Sequence, residues 1–259
     1  MRSTARTDRV TGPKSLNILP AWGAGGSSLY FTHLSDKGQH LYLSGIDGGP
    51  WKGISRRPGS NAGAALSRGP VILGGTKYKR LLAVALSKDG NTELYALTPA
   101  GKIVAQLTKH WAIDCSPSWS PDGRALTFVS NRGGSPQIYM LSIDDLSVRR
   151  LTFKGNYNQT PAWSPRGDLI VFSGRDERNV FDLFTVNVKT TAIKRLTQAQ
   201  GHNQEPSWAP NGRLIVFSST RNGKGSRLYI MREDGRHHRL LNPKLGAATT
   251  PRWSGFVQQ

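Results

Sequence analysis

One phrase occurs three times in this chain. NQTPAWSPRGDLIVFSG occupies residues 158–174, NQEPSWAPNGRLIVFSS follows at 203–219, and DCSPSWSPDGRALTFVS precedes both at 114–130. A repeat constrains a fold more than local propensity does, because each unit builds the same element and buries the same face against its neighbour. Tryptophans mark the period: Trp22, Trp119, Trp163, Trp208 and Trp253. The last three steps are 44, 45 and 45 residues, and Leu66 divides the first gap of 97 into 44 and 53. One unit therefore carries nine extra residues. Twenty-four residues before the anchors stand Tyr42, Tyr95, Tyr139, Phe184 and Tyr229, and twelve before them stand Ile54, Leu107, Leu151, Leu196 and Leu241. Nine after an anchor come Phe31, Phe128, Phe172 and Phe217, with Val84 taking that beat once the insertion is removed.

Each unit reads as four short strands. An anchor strand such as TPAWS enters a Ser-Pro-Asp-Gly-type turn (SPDG at 120, SPRG at 164, APNG at 209), where Pro presets φ and Gly tolerates the close of the turn. A β-branched and aromatic run follows, LIVFS or LTFVS, then a polar loop, a third strand such as QIYMLSI, and a fourth such as SVRRLTF. No useful length of 3.6-residue periodicity is present. Four strands in about 44 residues, repeated in register, specify an all-β propeller of four-stranded antiparallel blades. The anchor tryptophans share the fold's period and so read as blade packing, not as a ligand-stacking set.

The PxWSPDGxxLxFxS…G…IY…LT unit resembles the PD40 repeat of TolB-type six-bladed propellers. RRPGSNAGAALS, LAVALSKDGNTELYAL and the terminal PRWS add phrases similar to that family's propeller, and the likeness covers about residues 9 to 255. The ruler finds five complete units, starting near 22, 66, 119, 163 and 208. A stray fourth strand around Val10 and a closing first strand near 250–255 fall outside them. The resemblance implies that these two belong to one incomplete sixth blade of a six-bladed ring. The expected organisation is a basic N-terminal segment over 1–21 that carries the stray strand, then a propeller over 22–259. The two absent strands and an export signal are expected upstream in a longer, exported parent.

Thirty-five Lys and Arg against sixteen Asp and Glu leave a formal net charge of +19, which favours anionic partners or solubility. Cys115 is the single cysteine, so no internal disulfide forms. No apolar run approaches the roughly 18 residues that a membrane helix needs. The start, MRSTARTDRVTG, is basic but lacks the apolar stretch of a signal peptide.

Five residues before the anchors stand Asn17, Asn61, Asp114, Asn158 and Asn203, with Ala248 ending the series. In a propeller these positions sit at one mouth of the central channel. Two readings apply: Asx side chains capping their own turns, or a ring of groups that meets a partner. The neighbours vary on this constant frame: Cys115 and Ser116, Gln159 and Thr160, Gln204 and Glu205, with His202 before Asn203. Variation on a fixed scaffold is the pattern of a specific site. The family resemblance implies that this mouth receives the peptidoglycan-associated lipoprotein, with Asn61, Ala62, Ser116 and Glu205 at contact positions. Ser60 stands where the family often has His. The candidate contact set is Asn61, Ala62, Asp114, Ser116, Asn158, Gln159, His202, Asn203, Gln204 and Glu205. By the same resemblance the chain is a periplasmic, non-enzymatic component of the Tol-Pal envelope system, which serves outer-membrane integrity, cell division and import.

Catalytic signals are weak. GSNAG at 59–63 places Ser60 wrongly for a nucleophile elbow. The six histidines do not share repeat positions, and adjacent His237 and His238 face opposite ways on a strand. No catalytic residue, metal site or cofactor is expected, and Cys115 reads as inert. The alternative is a propeller of a PD40-superfamily enzyme, similar to an oligogalacturonate lyase or a detached peptidase propeller. The basic pairs (Arg56-Arg57, Arg149-Arg150, Lys194-Arg195, Arg236 to Arg239) suit either strand-edge protection or a polyanion-binding rim. No aromatic residues interleave with them, which argues against nucleic acid.

Overall fold

The computed structural model describes residues 8–12, 15–175, 177–223, 225–241 and 246–255; residues 1–7 of the expected basic segment lie outside the described residues. Alternating apolar runs bounded by Gly, Pro and Asn turns form strands throughout. Blade one holds β1 (Leu16–Trp22), β2 (Ser28–Ser35), β3 (Gly38–Gly45) and β4 (Lys52–Ser55) in that order. Blade two opens with β5 (Asn61–Leu66). A separate hairpin, β6 (Val71–Leu73) and β7 (Thr76–Tyr78), then intervenes before β8 (Leu82–Leu86), β9 (Glu93–Leu97) and β10 (Ile103–Gln106). That hairpin accounts for the surplus length of this unit. Blade three comprises β11 (Asp114–Trp119), β12 (Ala125–Ser130), β13 (Gln137–Ser142) and β14 (Val148–Arg150). Blade four comprises β15 (Asn158–Trp163), β16 (Leu169–Arg175), β17 (Phe181–Asn187) and β18 (Ile193–Arg195). Blade five comprises β19 (Asn203–Trp208), β20 (Leu214–Ser219), β21 (Arg227–Arg232) and β22 (Arg239–Leu240).

The periodic residues find each other across strands. Phe31 pairs with Tyr42, Val84 with Tyr95, Phe128 with Tyr139, Phe172 with Phe184, and Phe217 with Tyr229. Ring centroids in the aromatic pairs lie 6.2, 5.9, 5.7 and 6.0 Å apart. Trp119, Trp163 and Trp208 are buried in the clusters between adjacent blades. Trp119 Nε1 donates to Ala65 O at 3.0 Å and Trp208 Nε1 to Ala162 O at 3.1 Å, so each fills a core and ties its strand to a preceding first strand.

A proline stands two residues before the anchor in blades one, three, four and five (Pro20, Pro117, Pro161 and Pro206), and Ala64 takes that place in blade two, where Gly63 turns left-handed without one. Pro lacks an N–H, so a ladder position is closed to it unless the strand bulges. Every first strand shifts register there, between Ile18 and Ala21, Ala62 and Ala65, Cys115 and Ser118, Gln159 and Ala162, and Gln204 and Ser207. The residue three before the anchor is left-handed each time: φ is 54° at Leu19, 62° at Gly63, 54° at Ser116, 51° at Thr160 and 57° at Glu205. Neighbouring blades satisfy the amides that the bulge frees. Gly63 N donates to Thr32 Oγ1 at 3.3 Å and Glu205 N to Ser173 Oγ at 3.0 Å.

The expectation of a six-bladed ring with an incomplete sixth blade is corrected: the described residues form five four-stranded blades and one two-stranded hairpin. Val10 is in no strand, and neither are residues 250–255. The reason is how 250–253 is held. Thr250 N donates to a Glu205 carboxylate oxygen at 2.6 Å, Trp253 N to Ser207 Oγ at 3.3 Å, and Arg252 O accepts from Trp22 Nε1 at 3.0 Å. Side chains of blades five and one thus take up the segment's polar groups, and the segment bridges the seam without a sheet ladder. Replacing Trp208, which is 3% exposed, with Ala should cost about 3–5 kcal/mol through cavity formation and loss of the inter-blade bond. Urea denaturation of Trp208→Ala beside the parent chain measures this.

Candidate functional site

Antiparallel alternation decides which loops share a face. Fourth strands end, and first strands begin, at one mouth of the ring, together with the loops joining second to third strands. The Ser-Pro-Asp-Gly-type turns lie at the other mouth. First strands sit side by side, β1 against β5, β5 against β11, β11 against β15, and β15 against β19. Their opening residues therefore surround the channel.

The Asx series lies inside this rim. Asn61, Asp114 and Asn203 are 0% exposed and Asn158 is 3% exposed. Asn61 Oδ1 accepts from Ser55 Oγ at 2.5 Å, and its amide donates to Arg57 O at 2.8 Å. Asn158 Nδ2 donates to Gln137 Oε1 at 2.8 Å, and that oxygen also accepts from Thr152 Oγ1 at 2.7 Å. Asn203 repeats the arrangement, donating to Asp182 Oδ1 at 3.1 Å, with Thr197 Oγ1 on the same oxygen at 2.6 Å. Each threonine hydroxyl also accepts a third-strand amide, Ile138 N and Leu183 N, both at 2.9 Å. The Leu-Thr step that follows a fourth strand, a residue at the start of the third, and the Asx of the next blade thus form one buried latch.

The next residues along the first strands are the accessible ones. Ala62, Ser116, Gln159, Gln204 and Glu205 are half-buried near the start of their strands, and His202 is exposed just before β19. His202 Nδ1 accepts from Phe181 N at 3.3 Å. Glu205 is partly committed, because it accepts from Ser218 Oγ at 3.0 Å and from Thr250 N. Its charge also favours the cationic form of half-buried Arg252, against the desolvation that lowers that group's pKa. Burial pushes the Cys115 thiol up, so it stays protonated and a poor nucleophile. Among the described residues no three His, Cys, Asp or Glu gather to hold a metal, and no helix is long and apolar enough to cross a membrane.

Sequence reasoning missed the apolar rim. Trp111, Ile113 and Phe153 are 75%, 51% and 65% exposed on the links that enter β11 and β15. Trp111 beside His110 was recognisable as a tryptophan off the repeat's beat. Part of the basic charge is structural. Arg132 lies 5.4 and 5.3 Å from the rings of Phe128 and Tyr139, Arg221 lies 5.3 and 4.3 Å from those of Phe217 and Tyr229, and Lys88 stands 4.9 Å over Tyr95. At the opposite mouth, Arg166, Arg213 and Arg232 surround a cleft of about 490 Å³ with Asn211, Leu214 and Glu233. Glu233 pairs with Arg166 there.

Asn158→Ala removes a latch, so its expected effect is on folding: about 1–3 kcal/mol of stability, from the lost buried bond between blades and the space the side chain vacates. Chemical denaturation checks this, and Gln159→Ala, on the accessible side, should stay within about 0.5 kcal/mol of the parent.

Comparison with known proteins places this geometry. The chain is 64% identical over 91 residues to the Tol-Pal system protein TolB of Myxococcus xanthus, an overlap of 35% of this chain and 21% of that protein. It is 36% identical over 128 residues to a TolB homolog of Chlorobium chlorochromatii, covering 49% of this chain and 27% of the relative. The crystal structure of TolB from Acinetobacter baumannii superposes with a TM-score of 0.77 at 28% identity, over 95% of this chain and 59% of that one. The matched region is thus about a quarter of the curated relatives' length. Residues 4–257 match the PD40 TolB beta propeller domain, nearly the whole chain, and it therefore belongs to that family.

Proposed function

We propose that this chain is the propeller of a non-enzymatic, periplasmic Tol-Pal component that receives a peptidoglycan-associated lipoprotein at the channel mouth. The observation that carries the reading is the contrast within each first strand. The buried Asx is near-constant and latched, while the next two residues, half-buried at a strained left-handed bend, change chemistry from unit to unit: Ala62-Gly63, Cys115-Ser116, Gln159-Thr160, Gln204-Glu205. A rigid frame with variable, partly exposed groups is suited to recognising one partner. Trp111, Ile113 and Phe153 on the adjoining links supply the apolar contact that polar channel groups lack. Outer-membrane integrity, cell division and import are the roles that this partnership would serve. In titration calorimetry with the lipoprotein, Trp111→Ala together with Gln159→Arg should weaken binding at least about tenfold, a loss of ~1.4 kcal/mol. Unchanged affinity in a folded double variant would end this reading.

A second reading, contact with anionic envelope polymers, is favoured by the cleft of Arg166, Arg213 and Arg232 on the face away from the lipoprotein site. Retention on anionic vesicles should fall steeply between low and physiological salt, since each neutralised phosphate releases counterions. Arg213→Ser with Arg232→Ser should reduce it without altering lipoprotein affinity. Equal retention by the variant and the parent would leave the charge to solubility.

A further inference from the structure

Three blade joints share one latch, and one of them breaks its chemistry. Gln137 and Asp182 each accept from the amide of the next blade's asparagine, Asn158 and Asn203. At the joint between blades two and three the corresponding residues are Glu93 and Asp114, two carboxyl groups and no amide. They are 4% and 0% exposed. Thr108 Oγ1 donates to Glu93 Oε2 at 2.6 Å and accepts from Leu94 N at 2.9 Å, so the rest of the latch is intact. Asp114 Oδ2 takes Arg132 Nη2 at 2.7 Å, as Asn203 Oδ1 takes Arg221 Nη2 at 2.9 Å. Asp114 Oδ1 is therefore left in the role from which the other blades' amides donate. Among the described residues it has no hydrogen-bond partner.

The cation that relieves an acid elsewhere is also missing. In blade four, Arg195 pairs with Asp182 from the fourth strand. Its counterpart in blade two, set by pairing with Tyr95 as Arg195 pairs with Phe184, is Gln106. Gln106 keeps the backbone bond, donating to Thr108 O at 2.9 Å as Arg195 Nε does to Thr197 O at 2.9 Å, but it brings no charge. The charged groups facing Asp114 are thus Glu93 from β9 and Arg132 from the loop after β12, with His110 and exposed Lys109 on the link. β5, β8, β12 and β15, also packed near β11, carry no ionisable side chain.

Two ionised carboxylates are not sustained side by side in a buried, low-dielectric joint; one proton held between them removes the repulsion. We propose that Asp114 and Glu93 share one proton, Asp114 Oδ1–H donating to Glu93 in place of the usual amide, and that this pair makes the joint beneath the channel mouth respond to pH. Burial raises the Asp114 carboxyl above its ordinary range, and the Glu93 charge adds to the rise; Ser130, Arg132 and Thr108 pull it down. A carboxyl raised by folding contributes stability that is complete below its unfolded pKa, about 3.9, and is lost as pH climbs through the higher folded value. Loss of the proton puts two negative charges directly under Cys115 and Ser116 and beside the link that carries Trp111. That stretch of the mouth loosens first.

The test is thermal melting of the full chain and of Asp114→Asn and Glu93→Gln between about pH 4 and pH 8. Asp114→Asn restores the amide of the other joints. It should melt at least about 3 °C above the parent at the alkaline end, with the gap closing toward the acid end. Glu93→Gln should flatten the same pH dependence, which keeps the test open if the first variant folds poorly. Amide exchange over residues 107–116, corrected for its intrinsic pH dependence, should be faster in the parent at the alkaline end and pH-independent in Asp114→Asn. A melting gap that does not change with pH, or an Asp114→Asn chain less stable than the parent at the alkaline end, overturns the shared proton. A rise in the parent's melting temperature with millimolar calcium, absent in Asp114→Asn, also overturns it by giving the unpaired oxygen to a metal ion. The inference stands apart from the Tol-Pal reading, since none of these measurements involves the lipoprotein.

Discussion

The joints between blades depend on a buried chain of hydrogen bonds. It runs from the Thr that follows one blade's fourth strand, through a residue at the start of its third, to the Asx opening the next blade. Hydrophobic burial supplies most of the drive for neighbouring sheets to meet, but it is non-directional and tolerates sliding. The latch does not. Thr152, Gln137 and Asn158 lie out of contact with water, and a displaced blade would leave several polar groups unpaired at about 1–3 kcal/mol each. Sequential units are therefore held at one relative position, and the rim inherits that position.

A second constraint acts a few residues further along each first strand. Proline at positions 20, 117, 161 and 206 suits a bulge because it has no N–H for the ladder, and the residue before it turns left-handed; blade two bulges at the same place with Gly63 and Ala64. Leu19, Ser116, Thr160 and Glu205 each pay strain of about 1–3 kcal/mol for this conformation. In blades three to five the latch on one side and the buried anchor on the other over-determine the bend. Side chains at the bend lie between two clamps without being part of either, which leaves their chemistry free to differ from blade to blade. That freedom is the basis for locating recognition at this mouth.

The net charge of +19 divides between two duties. Arg132 and Arg221 cover the aromatic pairs of their blades and also reach the Asx latch, so they belong to the architecture. Arg166, Arg213 and Arg232 line a cleft at the far mouth, where Arg166 is paired with Glu233. A surface reading of composition alone counts all of them alike.

The repeat made the propeller, its strand order, the surplus length of blade two and the aromatic ladder legible before any coordinates, because period and alternation are local properties that each unit states for itself. The buried anchors followed for the same reason. Three things were not legible. The seam between blades five and one depends on residues 230 positions apart, Trp22 and Arg252, whose meeting no local pattern encodes; side-chain bonds there replace the strands that counting by period led one to expect. The Asx beat was visible, but whether those side chains faced a partner or the interior depended on the third-strand residues behind them. The pairing of Glu93 with Asp114 joins the third strand of one unit to the first strand of the next, and no pattern within a single unit states it. Only folding brings them into one dry joint, where two like charges become a constraint that water would otherwise have screened.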